Sequence, residues 1–500
     1  MLNTFPAIII VVPLLAALLI AGISFIDRRA CFPIGVVALL ISFAGAAVML
    51  FNVVSTGVAM EYRFGGWAGP MGIVYVIDHL SALVLVVITG IALVNLVSSR
   101  QTIIDELKEK DGAFVALYLL FTAGLVGMTA TGDAFNLYVL LEITSLSGYA
   151  LIGLGSERAP LASLKYLFLG TIGATFYLVG VGYLYIATGS LNMVDLATII
   201  PGLMDSGVIL FAFIFCMTGL FVKMAMFPVH GWLPGAYSEA SSPAAGLIAP
   251  LTTKVMIYIL IRICLSVFSV EYVFANLDVG QIMVWLAIAT IVFGSVSALA
   301  QTNYRRMLTY IIIAEVGYMV GGFFLGNKMG MSGAMLHIVN DAVMTLCLFM
   351  VAGIVVNRMK TDDRDGFKGL FRSMPFTMAG FVLAALSIIG VPPTCGFFSK
   401  WYLILGGVAA GNYWFVAALI FSSLVNAVLF FRLFEIAYFE PFGDDHHGES
   451  PGAGAVGIKE APMIMLLPFL AVSFLLIVLG VYSGRIVTNI IYFAIPGGII

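Results

Sequence analysis

Charge is what this chain has least of. Of 500 residues only 23 are Lys or Arg and 26 are Asp or Glu, while 62% are hydrophobic. Such sparse charge cannot clothe a water-soluble globular surface, so the composition indicates a polytopic membrane protein. The formal net charge of −3 says little by itself; where the charges fall says more. Cysteine is equally sparse. Cys31, Cys216, Cys264, Cys347 and Cys395 stand far apart, with no CxxC and no Cys/His cluster. Neither an iron–sulfur site nor a disulfide framework follows from that spacing, and the five read as small buried hydrophobes. No G-x-x-x-x-G-K-S/T run occurs, so no nucleotide-hydrolysing loop is expected. No catalytic residue, cofactor, metal site or nucleic-acid surface is expected either.

Long apolar runs are what the chain has in abundance. A window of about 19 residues finds about fourteen spans. They lie near residues 4–26, 32–54, 73–98, 113–130, 134–155, 160–187, 207–227, 241–266, 281–301, 307–325, 331–356, 375–404, 412–436 and 461–483. Residues 4–26 are followed by Asp27, Arg28 and Arg29 rather than by a small-residue cleavage site, and read as a spanning helix. Residues 55–72, with Tyr62, Phe64 and Trp67, read as an amphipathic loop or hairpin at an interface. Basic residues crowd alternate loops: Arg28 and Arg29; Arg100, Lys108 and Lys110; Arg158; Arg305 and Arg306; Arg358, Lys360, Arg364, Lys368 and Arg372; Lys459. The positive-inside rule makes those loops cytoplasmic and puts both termini on the other side of the cell's inner membrane. The loop holding Asp444, Asp445, His446 and His447 reads as solvated cytoplasmic chain, since adjacent residues seldom complete a metal shell alone.

Few polar residues interrupt the spans, and each is therefore informative. Lys223 and Lys254 flank a stretch broken by Pro228, Pro234, Pro243 and Pro250; Lys400 follows a second break at Pro392 and Pro393. Proline removes a backbone donor and clashes with the preceding turn, so no straight helix crosses these points. A buried ammonium costs about 2.5–3.5 kcal/mol on insertion scales. Snorkelling to an interface is the bland alternative. Broken helices with ionisable residues at mid-depth are also how secondary transporters build ion sites, because unwound backbone can line a wet cavity. Glu142 lies mid-span; so do Glu315, His337 and Asp341. Lys165 begins a span, and Asp78 and His79 stand near the start of span three. His337, Asp341 and Thr345 are spaced i, i+4, i+8 and share one helix face, as do Lys254, Tyr258 and Arg262. The two breaks are five spans apart, and an odd offset inverts a helix in the membrane. The expected fold is thus all-α, with N-terminal helices 1–3 in residues 1–112. Two inverted five-helix repeats follow, over 113–266 and 281–436, each with one broken helix. Residues 437–500 hold a cytoplasmic loop, the last transmembrane helix and a tail.

Four runs carry a resemblance: TGDAFNLYVLLEITSLSGYALIG, KMAMFPVHGWLPGAYSEASSPAAGLIAPLTTK, YRRMLTYIIIAEVGYMV and GVPPTCGFFSKW. They resemble the D subunit of Mrp-type multisubunit cation/proton antiporters, which is similar in turn to antiporter-like subunits of respiratory complex I and membrane-bound hydrogenases. The resemblance covers about residues 70–435. It implies a Glu142–Lys223 pair, a connecting Lys254, a distal Lys400, and His230 after the first break. It implies no cofactor in this chain. Its partners would be other membrane subunits and the lipid bilayer, and its cargo protons together with Na⁺ or K⁺. Where the family reads HALFKALLF, this chain keeps the first histidine as His337 but has Asp341 for the second and Thr345 for the central lysine. Glu315 stands where a histidine or glutamine is common.

The expected chemistry is lateral proton conduction at mid-membrane, from Lys223 through Lys254 and a His337–Asp341 pair to Lys400. A carboxylate beside a buried ammonium favours the charged form, and drawing it away releases the proton. A static salt bridge holding two helices in register is the alternative for Glu142 and Lys223. At the level of the whole protein, the leading expectation is a subunit of an Mrp-type Na⁺(K⁺)/H⁺ antiporter. The alternative is a non-catalytic proton-pumping subunit in the membrane arm of a hydrogenase, formate-oxidising or quinone-reducing complex. A transport-inactive scaffold is a third.

Overall fold

The computed structural model describes residues 4–440 and 459–497, so the Asp444–His447 loop lies outside the described residues. Helices α1 (Phe5–Ile23) and α2 (Cys31–Thr56) come first, then a two-stranded antiparallel hairpin of β1 (Met60–Arg63) and β2 (Val74–Ile77). The segment at 55–72, expected as a loop or hairpin, is thus the end of α2, the first strand of a hairpin and most of its turn. Span three is shorter than the sequence suggests. Residues 74–77 form a strand and α3 (His79–Ser98) begins only after them, because Asp78 caps it through Ser81 at both backbone and side chain.

From there the chain runs through α4 (Asp111–Ala130), α5 (Ala134–Gly153), α6 (Ala159–Thr188), α7 (Gly207–Lys223), α8 (Leu233–Glu239) and α9 (Ser242–Arg262). It continues with α10 (Gly280–Leu299), α11 (Tyr304–Phe324) and α12 (Lys328–Met359). The last four are α13 (Pro375–Ile389), α14 (Cys395–Ala409), α15 (Tyr413–Phe439) and α16 (Met463–Ile486). Among the described residues, 12 helices are long and apolar enough to cross a membrane. The other two expected spans, 207–227 and 375–404, are the broken ones. The second is two helices, α13 and α14, rather than a single span. Asp133, Asn303, Asn327 and Asn412 cap α5, α11, α12 and α15 by accepting from backbone N–H groups two or three residues into the helix.

Both breaks satisfy their freed backbone groups inside the protein. After α7 the Trp232 indole donates to Val222 O at 2.9 Å, and its ring stacks on Tyr166. At the second break Gly390 (φ 95°) reverses the chain in the left-handed region that side chains disfavour. Helix α16 fits against that turn only because residue 480 is glycine: a Cβ there would lie 2.0 Å from Pro393 O.

Helices α9, α11 and α12 form the centre. Their apolar windows are 100%, 94% and 100% buried, against 39% for α1, α2, α6 and α10. The outer helices therefore present apolar side chains outward, and the inner three are enclosed by other helices. Lys254, Glu315, His337, Asp341 and Thr345 all stand on the inner three.

Candidate proton-relay site

Lys254 reaches back along α9 to α12, where its Nζ lies 2.9 Å from Asp341 Oδ2. The two atoms are at ion-pair distance without the alignment of a hydrogen bond. Thr345 ties them together, donating from Oγ1 to Asp341 Oδ1 at 2.9 Å and accepting from Lys254 Nζ at 3.3 Å. One turn earlier on α12, His337 turns to α11 and contacts the Glu315 carboxylate through Nε2, while Nδ1 lies 2.8 Å from Ser399 Oγ on α14. Lys400, the next residue of α14, stands 3.9 Å from the other Glu315 oxygen. Its ammonium donates to Ile388 O at 2.6 Å and to Ser423 Oγ at 3.2 Å. Ile388 O is one of the carbonyls released where α13 ends, at the negative end of that helix. The break thus supplies backbone to the lysine.

These contacts correct the expected pairing on α12. His337 and Asp341 do share a helix face, but they are not each other's partners. Asp341 belongs to Lys254 on α9, and His337 to Glu315 on α11. The result is one row of titratable side chains, Lys254–Asp341, then His337–Glu315, then Lys400, with one helical turn between the first two pairs. Glu315 and Asp341 have no exposed surface at all.

The first half of the expected path is looser. Lys223 is buried at the end of α7 and donates to Ser145 Oγ at 2.7 Å and Tyr149 OH at 3.4 Å, both on α5. Glu142, one turn before Ser145, forms no ion pair with Lys223, whose ammonium is held by the two hydroxyls instead. No direct contact joins Lys223 to Lys254. His230 lies in the first break with its ring against Phe227 and Phe293, apart from the row. Lys165 is exposed. The polar stripe on α9 also divides: Tyr258 donates to Thr129 O at 2.9 Å, and Arg262 pairs with Asp78 at the start of α3.

Ser145, Tyr149, Ser399 and Ser423 touch the buried lysines and the histidine, yet sequence reasoning does not single them out. Ser145 and Ser399 carry a signal, being hydroxyls within three residues of Glu142 and Lys400.

A row of buried carboxylates, lysines and a histidine on broken and central helices can hold and pass protons. Comparison with known proteins bears on the family. The model of the NADH:quinone oxidoreductase/Mrp antiporter transmembrane family matches residues 131–426, which include every residue of the row. The chain belongs to this family. It is 43% identical to the N subunit of the NADH-quinone oxidoreductase of Desulforudis audaxviator over 498 residues, covering 98% of each chain. It is 32% identical to the D subunit of the Na⁺/H⁺ antiporter of Alkalihalophilus pseudofirmus, over 84% of this chain and 82% of that one. Among solved structures, a chain of the membrane-bound sulfane sulfur reductase, an archaeal respiratory membrane complex, superposes with a TM-score of 0.86 at 31% identity, over 98% of this chain and 96% of that one. This family member is thus a multi-pass membrane protein of the antiporter-like fold, homologous to the D subunits of Mrp antiporters and to the N subunit of NADH-quinone oxidoreductase.

Proposed function

We propose that the chain is the proton-translocating, antiporter-like component of a multisubunit Mrp-type Na⁺(K⁺)/H⁺ antiporter. The observation that carries this reading is the Lys254–Asp341 pair, buried at the centre of the bundle and continued by His337, Glu315 and Lys400. A purely structural ion pair needs two partners; here five titratable groups from four helices stand in sequence. When Asp341 is close, Lys254 holds its proton; when they part, the proton can leave along α12 toward His337. Glu142 and Lys223 form the input end, with Ser145 and Tyr149 as the polar atoms between helices α5 and α7. His230 is auxiliary at the first break. The partners are other membrane subunits of the same complex, and the apolar outer helices meet them or lipid. Basic loops mark the cytoplasmic side, which leaves both termini outside it.

The second reading, a proton-pumping component in the membrane arm of a redox-driven complex, is favoured by the 43% identity to a quinone oxidoreductase subunit. The row of residues would work alike in either. Copurification separates them, since iron–sulfur-bearing partners accompany one and small hydrophobic antiporter subunits the other. The test common to both is proton flux in proteoliposomes carrying the whole complex. Asp341→Asn should assemble and transport nothing. Wild-type flux through the assembled variant overturns the reading.

A further inference from the structure

Two tyrosines stand at matching places in the chain. The run G-Y-x-x-x-G occurs twice, as Gly148–Gly153 at the end of α5 and as Gly317–Gly322 in α11. These are the second helices of the two expected five-helix repeats, and the lysine beside each break, Lys223 or Lys400, belongs to the fourth. The glycine before each tyrosine lets the first helix of its repeat come close. A Cβ at Gly148 would lie 3.1 Å from the Phe121 ring of α4, and one at Gly317 would lie 2.8 Å from Ala287 O of α10. Both tyrosines are turned inward, Tyr149 with 4% and Tyr318 with 0% of its surface exposed.

Each tyrosine meets the lysine of its own repeat, by a different part of the side chain. Lys223 Nζ is 3.4 Å from Tyr149 OH and 5.9 Å from that ring's centroid, so the hydroxyl oxygen is the nearer contact. Lys400 Nζ instead lies over the Tyr318 ring, 5.1 Å from its centroid. The Tyr318 hydroxyl is buried and makes no hydrogen bond of good geometry among the described residues, so the ring is the part in use. The same ring tilts against the His337 imidazole, at 5.6 Å between centroids. Tyr318 thus touches both His337 and Lys400, and Glu315, which stands between those two, lies one turn back on its own helix.

An aromatic face attracts an ammonium through the ring quadrupole, more strongly where water is excluded. It differs from the other neighbours of Lys400 in kind. Ile388 O and Ser423 Oγ accept hydrogen bonds that must break when the ammonium moves. The ring holds the cation within reach of Glu315 without adding another.

We propose that Tyr318 is a positioning residue for Lys400, its ring face holding the ammonium beside Glu315 for the step from His337, and that Tyr149 positions Lys223 through its hydroxyl. The proposal rests on reading both lysines as proton carriers.

The test places phenylalanine at position 318 with none, one, two or three ring fluorines, in the whole complex. Fluorine drains the quadrupole of the ring face and scarcely changes its volume, so packing alone would not respond. In assembled complex the thermal midpoint and the proton flux in proteoliposomes should both fall stepwise with fluorine, flux by about tenfold at three. In a Lys400→Met background the thermal midpoint should no longer respond, because the ring has lost its cation; Lys400→Gln serves if that variant does not assemble. Tyr318→Leu should lose most of the flux, and Tyr318→Phe, which keeps the ring, should restore it. Tyr149→Phe should slow flux about threefold by removing the oxygen that Lys223 meets. Flux indifferent to fluorine at 318, or a thermal response that persists without Lys400, overturns the role of Tyr318; parental flux in Tyr149→Phe overturns that of Tyr149. The thermal response is read without any transport. Normal flux in Asp341→Asn would therefore remove the relay reading while leaving the measured seat of Lys400 standing.

Discussion

Lys254 and Asp341 face each other across 2.9 Å between α9 and α12, with 2% and 0% of their side chains exposed. Where the sequence resemblance would put a histidine and a lysine, this chain has Asp341 and Thr345. The pair joins a lysine of α9 to a carboxylate of α12 at the centre of the bundle.

Removing one partner of such a pair leaves the other buried and uncompensated, at about 3–5 kcal/mol. Asp341→Asn should abolish proton flux and lower the thermal stability of the solubilised complex. A Lys254→Gln/Asp341→Asn double variant should recover most of the stability and none of the flux. Recovery of both would make the pair a structural clasp.

Thr345 bonds to both charged groups, and hydrogen bonds to charged groups contribute about 1.5–3 kcal/mol. Thr345→Ala should thus slow transport by about tenfold or somewhat more while Asp341→Asn stops it, as initial rates of proton uptake would show. Normal flux in Asp341→Asn with none in Thr345→Ala would assign the relay to hydroxyl-bound water instead.

How much of this was legible in the sequence depends on the range of each interaction. The helices were, because apolar length is a local property. So were the breaks, since Pro228 and Pro392–Pro393 act on their own backbone. The start of span three was misread because four apolar residues, Val74 to Ile77, fit a short strand as well as a helix end. The candidate residues were all visible as rare polar groups in apolar runs, and their partners were not. The spacing of His337 and Asp341 puts them on one face, but which neighbouring helix each meets is decided by the packing of α9 and α11 around α12. Likewise Glu142 and Lys223 invited a direct pair, whereas Ser145, one turn along the same helix, lies against the ammonium.

Ser145, not the expected carboxylate, contacts Lys223, and the proposed role of Glu142 is tested separately. Glu142 stands one turn before Ser145 on α5, the helix that holds the Lys223 ammonium. Glu142→Gln and Lys223→Ala should each abolish proton-coupled transport in assembled complex, and the double variant should be no worse than either, because both affect one step. Ser145→Ala removes the 2.7 Å contact and should slow transport without abolishing it. An additive loss in the double variant, measured by dye quenching in proteoliposomes, would show two independent steps.

At the far end, Lys400 is held by Ile388 O, Ser423 and the nearby Glu315. A fixed cation would suit all three acceptors as well as a proton carrier would, and one substitution, Lys400→Arg, separates the two roles. Arginine keeps its proton under any working condition, whereas lysine in a dry site can release it. Assembled Lys400→Arg complex should therefore carry no proton flux. Because a guanidinium is larger than an ammonium, the variant is paired with Glu315→Gln, which is nearly isosteric and removes the carboxylate shared by His337 and Lys400. Glu315→Gln should also stop flux, by separating the histidine from the lysine. Transport by Lys400→Arg would show that the position needs only charge. If Glu315→Gln also transported normally, the relay would end at Asp341, and Lys400 would serve to hold the second break together.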